Sequence, residues 1–238
     1  MSFRLKDTDS VMHIRWIPKY TALERTLHWV HTGCFLPLAI TGYIIFAPWL
    51  QPLAQGEAGQ LVRIIHRVTA VIFGLVPITY TILQPRRMWM NLKEFLTWGK
   101  DDIGWLKAAV PYYLQGKHEK MPPQPRFNSG ERLNAVVMVV GTLLFGITGL
   151  SMWFLRGAMS AGLFQFVVLI HDLTFIVTFA MFIVHFYLAV IHPLMWQSLV
   201  SMRFGYVSES YAREHHAKWY YGEERAKEMW EQHQAGEA

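Results

Sequence analysis

His28, His31, His66, His171 and His185 fall inside long apolar stretches of this 238-residue chain. An ionisable ring in a lipid-spanning segment is costly, so each is a functional candidate by default. Neutral imidazole is also the commonest metal ligand. The most informative spacing runs from His171 to His185. Fourteen residues at about 100° each leave about 40° of net rotation, and at about 1.5 Å per residue the two rings stand about 21 Å apart on nearly one helix face. One face offering two ligands at two depths suits two stacked haems, each gripped by a second histidine from another helix. His192 lies nearer the end of the same stretch. His13, His118, His215, His216 and His233 sit in polar segments and are expected to be solvated.

Depth selects the partners. With the middle of each apolar run as the bilayer centre, His66 lies about 10 Å and His171 about 11 Å toward the outside, whereas His185 lies about 10 Å toward the cytoplasm. On the first run, His31 is about 11 Å and His28 about 16 Å toward the cytoplasm. His66 therefore pairs with His171, and His185 pairs with His28 or His31, of which depth alone slightly prefers His31. A single membrane histidine is as readily explained by hydrogen bonding between helices, but two matched pairs are harder to explain that way. Zinc prefers four ligands at one point, not two pairs at two depths. A histidine-lined proton channel is a further alternative. Gly33, Gly42, Gly74, Gly146 and Gly149 are candidates for close approach of a haem to a helix backbone, or for ordinary helix packing.

The elements that must position these rings are spanning helices. Hydrophobic residues make up 53% of the chain and are concentrated in four runs that reach the roughly 20 residues needed to cross a bilayer core. The fold class expected is an all-α integral membrane protein, a four-transmembrane-helix bundle holding two b-type haems. Its spans are about 25–50, 62–84, 131–155 and 163–195, with a cytoplasmic loop at 84–130, so that 25–201 forms the membrane domain between tails at 1–24 and 202–238. The single cysteine, Cys34, excludes a disulfide, a four-cysteine iron–sulfur cluster and a covalent haem attachment motif. The opening polar stretch and the length of the first run do not match a secretory signal peptide.

The net charge is +5, and 19 of the 22 basic residues fall within 1–25, 86–132 and 203–238, that is, in or at the edge of the two tails and the middle loop. The positive-inside rule then puts both termini and that loop in the cytoplasm. The charge reads as a topology signal and not as a nucleic-acid surface. Within the loop, 89–98 and 103–115 mix Trp, Leu and Tyr with Lys, which suits helices in the interface plane or a docking surface for a partner. The M-P-P-Q-P stretch at 121–125 breaks any helix.

These residues resemble a known group. E-R-T-L-H-W at 24–29, T-G at 41–42, R-I-I-H at 63–66, F-N-S-G-E-R at 127–132, L-I-H at 169–171, H-F-Y at 185–187 and H-H-A-K-W-Y at 215–220 are similar, in order, to the cytochrome b (gamma) subunit of respiratory membrane-bound formate dehydrogenases. Related di-haem cytochromes serve NiFe hydrogenases and thiosulfate reductases. The resemblance implies that the histidine before Trp, His28, pairs with His185 around a cytoplasmic-side haem, and His66 with His171 around a periplasmic-side one. His31 is then a spectator. Arg25 becomes a candidate partner for a propionate or an anchor for the helix end. A quinone, menaquinone in the family, is expected beside the cytoplasmic haem at Asn128, with Gly130 and Arg132; Asn128 also reads as an N-cap. The implied partners are an iron–sulfur beta subunit and a catalytic alpha subunit, with no substrate-oxidising site in this chain. Asp172, His192 and the long middle loop depart from the family pattern. A haem-free membrane anchor or transporter is the alternative of a different class.

Overall fold

The computed structural model describes residues 14–115 and 121–236 and is predominantly helical. Among the described residues four helices are long and apolar enough to cross a membrane: α1 (Ala22–Phe46), α2 (Gly56–Leu83), α5 (Ser129–Phe154) and α6 (Ala161–Phe186), the last prolonged by a π turn to Ile191. At about 1.5 Å per residue each exceeds the ~30 Å hydrocarbon thickness. Their outward faces are apolar where a water-soluble bundle would be polar: Ile40, Ile82, Leu143 and Phe154 are all more than 60% exposed. Such a surface is stable only in lipid or under a partner.

Shorter elements complete the chain: α3 (Pro85–Leu96) and α4 (Lys100–Gln115) in the middle segment, then α7 (Trp196–Phe204), α8 (Glu209–His215), α9 (Ala217–Tyr221) and α10 (Glu223–Gly236) in the tail. A two-stranded antiparallel ribbon joins β1 (Trp16–Pro18) to β2 (Tyr206–Ser208), with Ile17 opposite Val207. The otherwise all-α fold thus contains one small sheet that the sequence did not suggest.

Several ends differ from the expected spans for local reasons. The first helix stops at Phe46 because Pro48 opens a 3-10 turn, Pro48–Ala54, and the expected outer loop is largely taken up by that turn. The second begins at Gly56, whose φ of +58° suits a residue without a Cβ. The fourth was expected to reach 195. Instead it ends at His192, which turns extended (ψ 123°) before Pro193, as the residue preceding a proline must. In α7 the terminator is Gly205, at φ 94°, whose carbonyl accepts from the backbone N–H groups of Lys19 and Tyr20.

The chain divides into two compact units. One comprises Leu23–Lys93 and Asn134–His185 and holds most of the four long helices, whose backbones scarcely approach within 8 Å of one another. The other comprises the described parts of 1–22, 94–133 and 186–238. Its apolar centre is Met195, Val207, Tyr211 and Ala212, packed by Ile17, Tyr113, Trp219 and Tyr220.

Candidate haem-binding site

Four half-buried histidines of the first unit face one another in two pairs. The rings of His28 on α1 and His185 on α6 have centroids 6.4 Å apart. Those of His66 on α2 and His171 on α6 are 6.5 Å apart. Two imidazoles sharing one metal, with bonds of about 2.0–2.1 Å and about 1.1 Å more from nitrogen to centroid, place their centroids about 6.2–6.4 Å apart. Both gaps are one metal ion wide. Since α6 is a regular helix between its two histidines, the pairs stand about 21 Å apart along its axis.

His31 does not join a pair. Its ring stacks on Phe73 with centroids 3.8 Å apart. Depth alone had slightly preferred His31; side-chain direction instead brings His28 toward His185.

Two threonines, which sequence reasoning passed over as components of the site, complete one pair. Thr41 Oγ1 lies 2.8 Å from His66 Nδ1, and Thr148 Oγ1 lies 2.7 Å from His171 Nδ1. With Nδ1 engaged, Nε2 is the ring nitrogen left for a metal. Gly42 and Gly149, each one residue further on, sit against the same rings: a Cβ at Gly42 would lie 3.4 Å from His66 Cε1, and one at Gly149 would lie 3.8 Å from His171 Cε1. At Gly33, Gly74 and Gly146 an added Cβ would meet nothing within 4 Å, so helix packing within the chain does not account for those three. By contrast, helix packing does require a glycine at 141, where a Cβ would lie 2.4 Å from Thr178 Cγ2. Facing imidazoles one metal apart, between helices held wider than direct packing, fit a bis-histidine haem at each level.

The entry of α1 is held by a polar clamp that was also not anticipated. Glu24 Oε1 accepts from Tyr80 Oη at 3.0 Å, Arg87 Nε at 2.7 Å and Asn91 Nδ2 at 3.3 Å, and Asn91 Nδ2 also donates to Tyr80 Oη at 2.9 Å. Glu24 is one turn before His28 on the same helix. Arg25, half-buried, precedes His28 by three residues.

The quinone candidates lie in the second unit, where each has a structural role. Asn128 is an N-cap: its Oδ1 accepts from Glu131 N at 2.8 Å, and Glu131 Oε2 accepts from Asn128 N at 2.8 Å, a reciprocal capping box. Gly130 gives room to Trp105, whose ring carbon would be 2.9 Å from an added Cβ. Arg132 is buried, pairs with Asp102 and donates to the carbonyls of Thr97 and Glu94.

The tail histidines correct an expectation. His216 is fully buried: its Nδ1 donates to the Pro125 carbonyl at 2.8 Å and its Nε2 faces Lys19 Nζ at 3.1 Å. Lys19, also buried, donates to Glu131 at 3.1 Å. Burial, then the neighbouring Lys19 charge, pushes His216 down to about 3, so it is neutral. Burial likewise lowers Lys19, against the opposing pull of Glu131. His215 Nε2 meets Tyr112 Oη at 2.7 Å. These rings were read as solvated because their sequence neighbours are polar, but the tail folds back over apolar residues. His233 is exposed as expected, and His13 and His118 lie outside the described residues. His192 is buried against Tyr113, whose carbonyl is 3.0 Å from Nε2. Asp172 is half-buried beside His171.

A family model described as prokaryotic cytochrome b561 matches residues 19–205. Curated proteins similar to this chain include the formate dehydrogenase cytochrome b556(fdo) subunit of Escherichia coli K12, 26% identical over 212 residues, covering 86% of this chain and 92% of that protein. The nitrate-inducible formate dehydrogenase cytochrome b556(Fdn) subunit of the same strain is 27% identical, covering 86% and 90%. The formate dehydrogenase cytochrome b556 subunit of Haemophilus influenzae is 25% identical, covering 86% and 82%.

Proposed function

As a member of the prokaryotic cytochrome b561 family, a multi-pass membrane haem protein, this chain, we propose, is the di-haem cytochrome b subunit of a respiratory formate dehydrogenase, conducting electrons across the membrane to a quinone. The observation that carries the reading is the pair of facing imidazoles, repeated at two levels with centroids 6.4 and 6.5 Å apart, in a chain whose relatives are formate dehydrogenase subunits along nearly their whole length. Bound there, two b haems supply reversible one-electron chemistry, with potentials tuned by axial ligation, hydrogen bonding and burial.

His28 and His185 hold one haem, and His66 and His171 hold the other. Arg25, one turn before His28, is the candidate partner for a propionate. With one cysteine the chain builds no four-cysteine cluster of its own. Formate oxidation and the iron–sulfur relay therefore belong to catalytic alpha and iron–sulfur beta partner subunits. The membrane domain spans 25–201, with the tails and the middle segment cytoplasmic, by the distribution of basic residues. Quinone contact falls to Asn128 through its amide nitrogen, since its carbonyl oxygen caps α5, with Gly130 and Arg132 shaping the surroundings. Menaquinone is the quinone that the resemblance suggests.

The test is haem content. Purified protein assayed as its pyridine haemochrome should hold two haem b per chain. His66→Ala or His171→Ala should lose one haem and halve the α-band absorbance, and His28→Ala or His185→Ala should lose the other. Colourless protein from haem-replete cells, or variants that keep both haems, would overturn the assignment. The attached dehydrogenase is identified by its co-purifying large subunit.

A further inference from the structure

The tripeptide Ile-Thr-Gly occurs twice, at Ile40–Gly42 on α1 and at Ile147–Gly149 on α5. Neither segment carries a candidate iron ligand, yet each meets a ring of the same pair through the same two atoms. The threonine hydroxyl reaches Nδ1 of His66 or His171, and the glycine faces Cε1. Both threonines are buried, at 6% and 5% exposed.

The direction of the hydrogen bonds follows from the backbone. Thr41 Oγ1 lies 2.7 Å from the Pro37 carbonyl oxygen, and Thr148 Oγ1 lies 2.6 Å from that of Leu144. A carbonyl oxygen can only accept, so each hydroxyl spends its single proton there. The lone pair that remains must accept from the ring, which puts the imidazole proton on Nδ1 and leaves Nε2 bare. A chain of two hydrogen bonds, from ring to hydroxyl to backbone, thus defines the tautomer and rotation of each imidazole. The other pair is built differently: His28 Nδ1 is buried with no hydrogen-bond partner among the described residues.

Resting on the reading of His66 and His171 as axial ligands, we propose that Thr41 and Thr148 are paired positioning residues which hold both rings as Nδ1–H tautomers and lower the reduction potential of the haem they share. An accepted Nδ1–H bond makes the imidazole a stronger donor to iron and favours the oxidised state.

The experiment is a spectroscopic redox titration of the purified protein, with haem counted on the same samples. Two haems in the unaltered protein establish the premise; none or one would sink the ligand assignment. With the premise in place, Thr41→Val and Thr148→Val should each raise the midpoint of one haem only, by on the order of tenfold in its reduction equilibrium, about 59 mV for one electron. The low-spin electron paramagnetic resonance signal of that haem should move with it. Thr41→Ser and Thr148→Ser, which retain the hydroxyl, should behave as the unaltered protein. Loss of one haem in a valine variant, with two haems at normal potential in the serine variant, also supports the role of the hydroxyl. Valine variants with two haems at unmoved potentials would overturn the inference, as would serine variants that shift or lose haem as much as valine.

Discussion

At the scale of single residues, the site is defined by what the second nitrogen of each ring touches and by which side chains carry a capping role. Asn128 illustrates the latter, being both an N-cap and a quinone candidate, and the two roles use different atoms. The cap uses Oδ1; a contact with a quinone carbonyl requires the amide N–H. Asn128→Ser keeps a capping oxygen and removes that donor. It should leave the thermal midpoint nearly unchanged while lowering quinone reduction several-fold. Asn128→Ala should lose both, with a stability cost of about 1 kcal/mol. Normal quinone turnover in the serine variant would remove Asn128 from the quinone site. His216 carries a different prediction. Folded, it takes a proton only near pH 3; unfolded, it does so near its ordinary 6.5. Between these values the unfolded state binds more protons, so the stability contribution is complete above about 6.5 and is lost as pH falls toward 3. The loss from pH 6.5 to 5 is about 2 kcal/mol. Hydrogen exchange at Ala212–Tyr220, corrected for intrinsic rate, should show loosening at pH 5 that His216→Gln abolishes. Equal protection at both pH values in the unaltered protein would refute it.

At the scale of elements, length and polarity were readable along the chain, and the ends were set by local chemistry. Prolines at 48 and 193 stop helices whose apolar runs continue past them. The clamp around Glu24 shows how an element is aimed. One carboxylate, its side chain 8% exposed and paired with Arg87 at 2.7 Å, ties the start of α1 to Tyr80 near the end of α2 and to Asn91 on α3. Hydrogen bonds to charged groups are worth about 1.5–3 kcal/mol each, less where one partner is solvent-exposed, as Arg87 partly is. Glu24→Gln should therefore lower stability in detergent by about 2 kcal/mol. If the clamp aims His28, the variant should also perturb the spectrum of the haem proposed at His28 and His185 and leave the one proposed at His66 and His171 untouched. A variant as stable as the unaltered protein would mean that the clamp is incidental. Glu24 opens the E-R-T-L-H-W motif, but the clamp itself was not legible in sequence, because its partners lie 56 to 67 residues away.

At the scale of the whole molecule, the apolar exterior of the four long helices and the family match describe a membrane cytochrome, while sidedness rests on the distribution of Lys and Arg. Reporter fusions provide the check. A cytoplasmic reporter at the C-terminus or within 84–130 should be active, and a periplasmic reporter should be active within 156–162. The reverse pattern would invert the proposed topology and exchange the two proposed haem levels between membrane faces.

The number of spanning helices, the identity of the histidines and their division into two levels were determined by the sequence alone. A bilayer imposes a minimum apolar length, and a helix converts residue number into depth and angle, so both quantities are local and countable. The family resemblance, not depth, singled out His28 over His31. The hydroxyls behind His66 and His171 and the burial of His216 were decided only in tertiary structure. Each depends on which way a side chain turns and on what another segment brings to meet it, and no periodicity along the chain encodes that meeting.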